Sequence, residues 1–175
     1  EAYTCLAANP ISDAYATAAI KKISLNLLKV LDNPKDADAR LELAQASTMA
    51  GIAFSNAMVG LVHSLGHATG AVVHLPHGLC MSLFLPYVLE YNMEKNGDRI
   101  ADLLLPLAGA DVYAVTPQSH RASKAIQTIR QLRDTLYERT KLPRTIQETG
   151  KVDKSQLPEI AKKALDDGSI IYNPK

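Results

Sequence analysis

The chain has 175 residues, 47% of them apolar, and a formal charge of +1 with acidic and basic residues interspersed. That composition predicts one domain with a substantial buried core and excludes both a disordered chain and a basic footprint for nucleic acid or an anionic membrane. Cys5 and Cys80, the two cysteines, stand far apart and outside any C-x-x-C pattern, which excludes a disulfide framework and a thiolate metal site and suits a reducing cytoplasm.

Residues 1–20 lack a basic start followed by an apolar run, and the longest apolar stretches are too short to span a bilayer. The opening phrase "EAYTC" starts without Met and reads like the middle of an element, so the chain is expected to be a fragment. After Asn9-Pro10, Ser12 or Asp13 is the expected cap of a helix facing inward through Ala16, Ala19, Ile20, Ile23, Leu27 and Leu31. Asp32-Asn33-Pro34 stops it.

A second helix is expected from Asp36 towards Leu61. Its small residues Ala46, Ala50, Ala53, Ala57 and Gly60, spaced four, three, four and three, permit close approach of a neighbour. The chain is apolar almost all round from Met49 to Val62 and again from Gly78 to Leu89, as buried helices are. Pro86 falls inside the second run and predicts one bent element there.

Residues 106–118 and 140–153 read as connections. Ile126, Ile129, Leu132, Leu136 and Tyr137 mark an amphipathic helix, and Ile160, Ala161, Ala164 and Leu165 a shorter one that Gly168 can end. Only "GAVVHL" and "SIIYNP" have strand-like residue choice, and neither has a partner of similar pattern. The expected fold is a single all-α helical bundle.

Four of the five histidines fall between His63 and His77. His63 and His67, four apart, share one helix face. Gly70, the β-branched pair Val72-Val73 and Pro76 predict that the chain turns back before His77, with Pro76 at the first position of a new helix. A helix N-terminus at His77 disfavours the imidazolium and keeps that ring neutral, the form that binds metal. Spacing and polarity favour His63 and His77 as ligands of Zn²⁺, Fe²⁺, Co²⁺ or Ni²⁺, completed by a carboxylate. His74 reads as structural, and His120 as a solvated loop or cap residue.

Neither an H-E-x-x-H pair nor a Glu three residues before a His occurs, and G-x-S-x-G, P-loop and G-x-G-x-x-G signatures are missing as well. Zincin, di-iron, serine-hydrolase and dinucleotide-cradling readings therefore have no motif to stand on.

The stretch "GIAFSNAMVGLVHSLGHATGAVVHLPHGLCMSLFLPYVLEYN", residues 51–92, closely resembles the signature region of iron-containing (group III) alcohol dehydrogenases. The likeness extends through "EAYTCLAANPISDAYATAAIKKI" and "ALDDGSIIYNP", so it covers essentially the whole chain. It implies the C-terminal helical domain of a two-domain, dehydroquinate synthase-like fold. Residues 1–175 are then one helical metal-binding domain without the N-terminal dinucleotide-binding domain and the last C-terminal helix.

By that resemblance His63 and His77 are metal ligands, and His67 is a catalytic residue beside nicotinamide and substrate, outside the coordination shell. Phe54 lines the substrate cleft, its alternative being a core aromatic. The two remaining ligands, an Asp and a His of a D-x-x-x-H segment, fall immediately before Glu1. The implied activity is a metal-dependent, NAD- or NADP-linked alcohol dehydrogenase or aldehyde reductase, with Fe²⁺ or Zn²⁺ as the divalent metal and the nucleotide held mainly by the other domain. A small alcohol or aldehyde and further copies of the same chain are the expected partners, with no nucleic acid or membrane, and the isolated chain is expected to be inactive. Two other readings stand beside it: a non-catalytic helical metal-binding or interaction module, and a zinc enzyme related to glycerol dehydrogenase.

Overall fold

The computed structural model describes all 175 residues, and they form helices, short 3-10 turns and connections, with no strand. The all-α expectation holds. Helix α1, Pro10–Asp32, is capped by Asn9 rather than by Ser12 or Asp13. The Asn9 side chain accepts from the Ile11 and Ser12 amides, and Ser12 Oγ accepts the Asn9 amide in return. A capping box three residues upstream of the apolar face satisfies donors that would otherwise be orphaned.

Helix α2, Ala37–Ala57, starts from Asp36, which accepts the Ala39 amide at 2.9 Å. It lies against α1 through the small-residue stripe, of which Ala46, Ala53 and Ala57 are buried. The helix ends at Ala57, short of the expected Leu61: Met58 takes a left-handed φ of 68°, and the chain bends by 107° into α3, Leu61–Val73. Gly60 sits at this corner because both ends of the chain press on it. A Cβ there would lie 3.1 Å from Asn173 Oδ1 and 3.3 Å from Glu1 Oε1.

Gly70 and Val72-Val73 belong to α3 rather than to a turn. The reversal comes at His74, which adopts φ 55° and donates its amide to the Gly70 carbonyl. Pro76 then precedes α4, His77–Asp102, as its N-cap, so His77 is the first helical residue. Pro86 is buried within α4, and the departure from helical geometry falls ten residues later, at Asn96 (φ −135°, ψ 25°). There the Asn96 side-chain amide donates to the Thr4 carbonyl at 2.6 Å, and Arg99 Nε to that of Tyr3 at 2.7 Å. Side-chain bonds to the first residues of the chain set the bend where the proline does not.

The stretch expected as a connection at 106–118 carries two short helices, α5 (Leu104–Ala108) and α6 (Ala110–Val115). Gly109 separates them at φ 87°, a conformation reserved for glycine when ψ is near 170°. Helix α7 spans Gln118–Thr140 and α8 spans Leu157–Leu165, ending before Gly168. Gly168–Tyr172, part of the strand-like "SIIYNP", is a 3-10 turn.

The core is divided into small clusters. Leu89 and Ile100 of α4 meet Ile126 of α7, Leu104 of α5 meets Ala125, and Ala68 of α3 meets Ile160 and Ala164 of α8. Helix α3 thus lies between α4 and α8, which fixes the histidine face that it carries. Cys5 and Cys80 are free and buried, Cys5 donating to the Ala57 carbonyl. No single helix is long and apolar enough to cross a membrane.

Candidate metal centre

Helix α3 begins at a glycine, which has no side chain to cap it. Its first amides are taken by residues from the two ends of the chain. Leu61 N donates to Asn173 Oδ1 at 3.2 Å, Val62 N to Glu1 Oε1 at 2.8 Å and His63 N to Glu1 Oε2 at 3.1 Å. Asn173 is in turn locked to Asn92 of α4 by a reciprocal amide pair at 2.8 and 2.9 Å, both residues being buried. A carboxylate is well placed at a helix N-terminus, where the unpaired amides carry partial positive charge.

The same Glu1 Oε2 accepts from His63 Nδ1. The contact assigns the proton to Nδ1 and leaves Nε2 with its lone pair free, the tautomer a metal ligand needs. Burial works against the Glu1 carboxylate, but the His63 bond and the Val62 amide are among the contacts that outweigh it and hold its pKa below the usual carboxylate range.

One turn on, His67 Nδ1 meets Asp167 Oδ2 at 2.9 Å. Asp167 also accepts the Ser169 amide at 2.8 Å, and these bonds overcome its partial burial to lower its pKa. His77 comes in from the first turn of α4. The centroids of the three rings lie 5.5 Å (His63–His67), 5.3 Å (His63–His77) and 5.3 Å (His67–His77) apart. Desolvation of the ring, then the charge His63 and His67 would carry, push the His77 pKa below its ordinary value. The neutrality expected from the helix N-terminus therefore holds in direction, through the neighbouring rings and desolvation.

His63 and His77 fit a divalent metal as two nitrogen donors, one of them backed by a carboxylate. No group of three or more His, Cys, Asp or Glu side chains is gathered as a complete ligand set. The cluster has the chemistry of part of a site, and the expected carboxylate ligand is not among its neighbours, since Glu1 faces the far nitrogen of His63.

Phe54, in the last turn of α2, is 48% exposed and lines an apolar cavity of about 360 Å³ that His63 also lines. His74 lies at the α3–α4 reversal as its left-handed residue, a structural position. His120 is exposed in the first turn of α7 and remote in sequence and fold from the other four. Sequence reasoning missed Glu1, Asp167 and Asn173, the three residues that orient the histidine helix. No local spacing announces them: the Glu1–His63 and His67–Asp167 pairs bridge 62 and 100 positions.

The family model for the C-terminal part of Fe-containing alcohol dehydrogenases matches residues 1–175. The 1,3-propanediol dehydrogenase of Klebsiella pneumoniae is 34% identical over 175 residues, covering 100% of this chain and 43% of that protein. The NADPH-dependent butanol dehydrogenase of Clostridium saccharobutylicum is 31% identical over 180 residues, with the same shares covered. The crystal structure of a 1,3-propanediol oxidoreductase superposes with a TM-score of 0.89 at 33% identity, covering 100% of this chain and 44% of that one. The chain thus spans less than half the length of the curated relatives it matches. In sequence and in helix arrangement alike, it belongs to the Fe-containing alcohol dehydrogenase family and corresponds to the C-terminal part of that fold.

Proposed function

We propose that the protein carrying this chain is a metal-dependent, NAD(P)-linked alcohol dehydrogenase or aldehyde reductase of the cytoplasm, and that residues 1–175 supply two metal ligands and one wall of its active-site cleft. The observation that carries this reading is the convergence of His63, His67 and His77, with His63 held in the ligand tautomer by Glu1. The relatives' names, a propanediol and a butanol dehydrogenase, support the substrate class.

A divalent metal, Fe²⁺ or Zn²⁺, supplies Lewis-acid polarisation of the substrate oxygen when bound. His63 and His77 hold it from two helices joined by the turn at His74, so the α3–α4 reversal fixes their separation. The remaining ligands and the nicotinamide cofactor belong to the part of the protein outside this chain, where the relatives have more than half of their length.

His67 stands beside these two without a bond to either. Its ring is oriented by Asp167, and its side chain is 43% exposed, so a proton taken up on one face can pass to solvent. Asp167 positions it, and the polarity of the pair suits an imidazole that gains and loses a proton in each turnover. Phe54 excludes water from the substrate side of the same wall.

The test is oxidation of 1-butanol by the complete protein with NAD or NADP, before and after chelation. Loss of turnover on metal removal, restored by Fe²⁺ or Zn²⁺, is expected. Turnover indifferent to the chelator, or no reaction with any primary alcohol, would contradict the reading. The incomplete ligand set favours a second reading for the chain by itself, a helical module without catalysis. Weak metal binding by residues 1–175 alone agrees with both readings, and turnover by the complete protein separates them.

A further inference from the structure

The apolar cavity beside His63 has no part in the metal chemistry, yet it is large and uniform in character. Sixteen of its twenty lining residues are hydrophobic, and the four others are Glu1, Thr4, Ser24 and His63. Three of these four are already engaged. Glu1 is held by His63 and by the first amides of α3, His63 by Glu1, and Thr4 Oγ1 by the Glu1 carbonyl at 3.3 Å. Only Ser24 is left to meet a polar group within the cavity.

From this geometry we infer that the cavity receives the hydrocarbon chain of the substrate, so the preferred substrates are unbranched monohydric alcohols of medium length and their aldehydes, rather than short diols. The inference rests on the dehydrogenase reading above and specifies its substrate. Three features support it. First, the cavity shares His63 and Phe54 with the candidate metal centre, so a chain whose oxygen lies at the histidines has an apolar volume next to it.

Second, the volume fits. An engineered apolar cavity of about 150 Å³ takes up benzene, and a water molecule's share of liquid is about 30 Å³, so about 360 Å³ holds roughly a dozen groups of that size. Third, the lining discriminates. A second hydroxyl carried into a wall of alanine, leucine and isoleucine would forfeit its hydrogen bonds to water with one serine as the sole recompense. The small residues Ala19 and Ala53, both buried, make the room that larger side chains at those positions would fill.

The test uses the complete, metal-loaded protein and a series from ethanol to 1-octanol, with 1,3-propanediol as the contrast. If each methylene is desolvated in the cavity, kcat/KM rises by about fourfold per carbon over the middle of the series. Calorimetry without nucleotide should give saturable one-to-one binding of 1-octanol and none of 1,3-propanediol at the same concentration. Ala19→Phe fills the cavity from α1, and Ile129→Phe from α7 in case the first variant fails to fold. Either lowers the octanol-to-propanol ratio of kcat/KM by about tenfold.

A flat or falling chain-length profile, or no saturable octanol binding because a protein segment fills the cavity, would overturn the inference. Octanol binding without turnover of any alcohol would leave the cavity assignment standing and sink the dehydrogenase reading. Turnover of short alcohols without octanol binding would do the reverse.

Discussion

His63 illustrates how a ligand is made from more than its own position. Its nearness to His77 comes from the α3–α4 hairpin, but its tautomer comes from Glu1, whose carboxylate meets both its ring and its amide. Glu1→Ala is therefore expected to weaken metal binding by the complete protein about 10- to 100-fold, the usual loss when a carboxylate behind a ligand histidine is removed. Equilibrium dialysis against Fe²⁺ or Zn²⁺ measures it, and unchanged affinity would refute the role. Tyr3 offers a separate probe at this scale. Burial first, and then its hydrogen bond to Asp102 at 3.0 Å, push its pKa up to about 12. The unfolded phenol titrates near ~10, so the folded state holds this proton more tightly. The associated stability is fully present below about pH 10 and is lost as pH rises towards about 12. Ultraviolet titration of Asp102→Asn should show one tyrosine ionising at lower pH than in the parent. The histidine pair was legible in the sequence because spacing along one chain segment carries it. The carboxylates behind His63 and His67 were not, because they arrive from the opposite ends of the chain.

At the scale of elements, the segment 58–76 shows where local rules stop. Apolar run and helix propensity carry α2 on to Leu61, yet the helix ends at Ala57 because Gly60 must fit beneath Glu1 and Asn173. Gly70 and the valine pair suggest a turn that the burial of Thr69 and Ala68 against neighbouring helices overrides, and the reversal slips to His74. Pro86, Gly168 and the stretch at 106–118 show the same dependence on long-range contacts. By contrast, the starts of α1 and α2, the small-residue stripe and the position of His77 were close to their observed places, because caps and periodicity are local. Asn173 joins these elements: its side chain caps α3 and pairs with buried Asn92. Asn173→Ala leaves that amide unpaired and should cost about 1–3 kcal/mol, read as a lower midpoint in urea with an unchanged slope. A shift within error would mean that the pair adds nothing to the fold.

The molecule as a whole is a helical wall that aligns two ligand histidines, a third imidazole beside them and an apolar cavity behind. Its clustered core, its histidine triangle without a full ligand set and its coverage of 43% of its relatives' length agree with a centre completed outside residues 1–175. The family was legible from residues 51–92, where the motif is dense, and the all-α class from periodicity along the chain. The cavity was not, since its lining is drawn from five helices and no single segment reveals it. The central claim, that His63 and His77 hold the metal, is tested most directly by elemental analysis of the complete protein after exhaustive dialysis, in the parent and in the His63→Ala/His77→Ala double variant, with circular dichroism to confirm retained helix. The account predicts one divalent ion per chain in the parent and none in the variant; a folded variant that keeps its metal at full stoichiometry would contradict it.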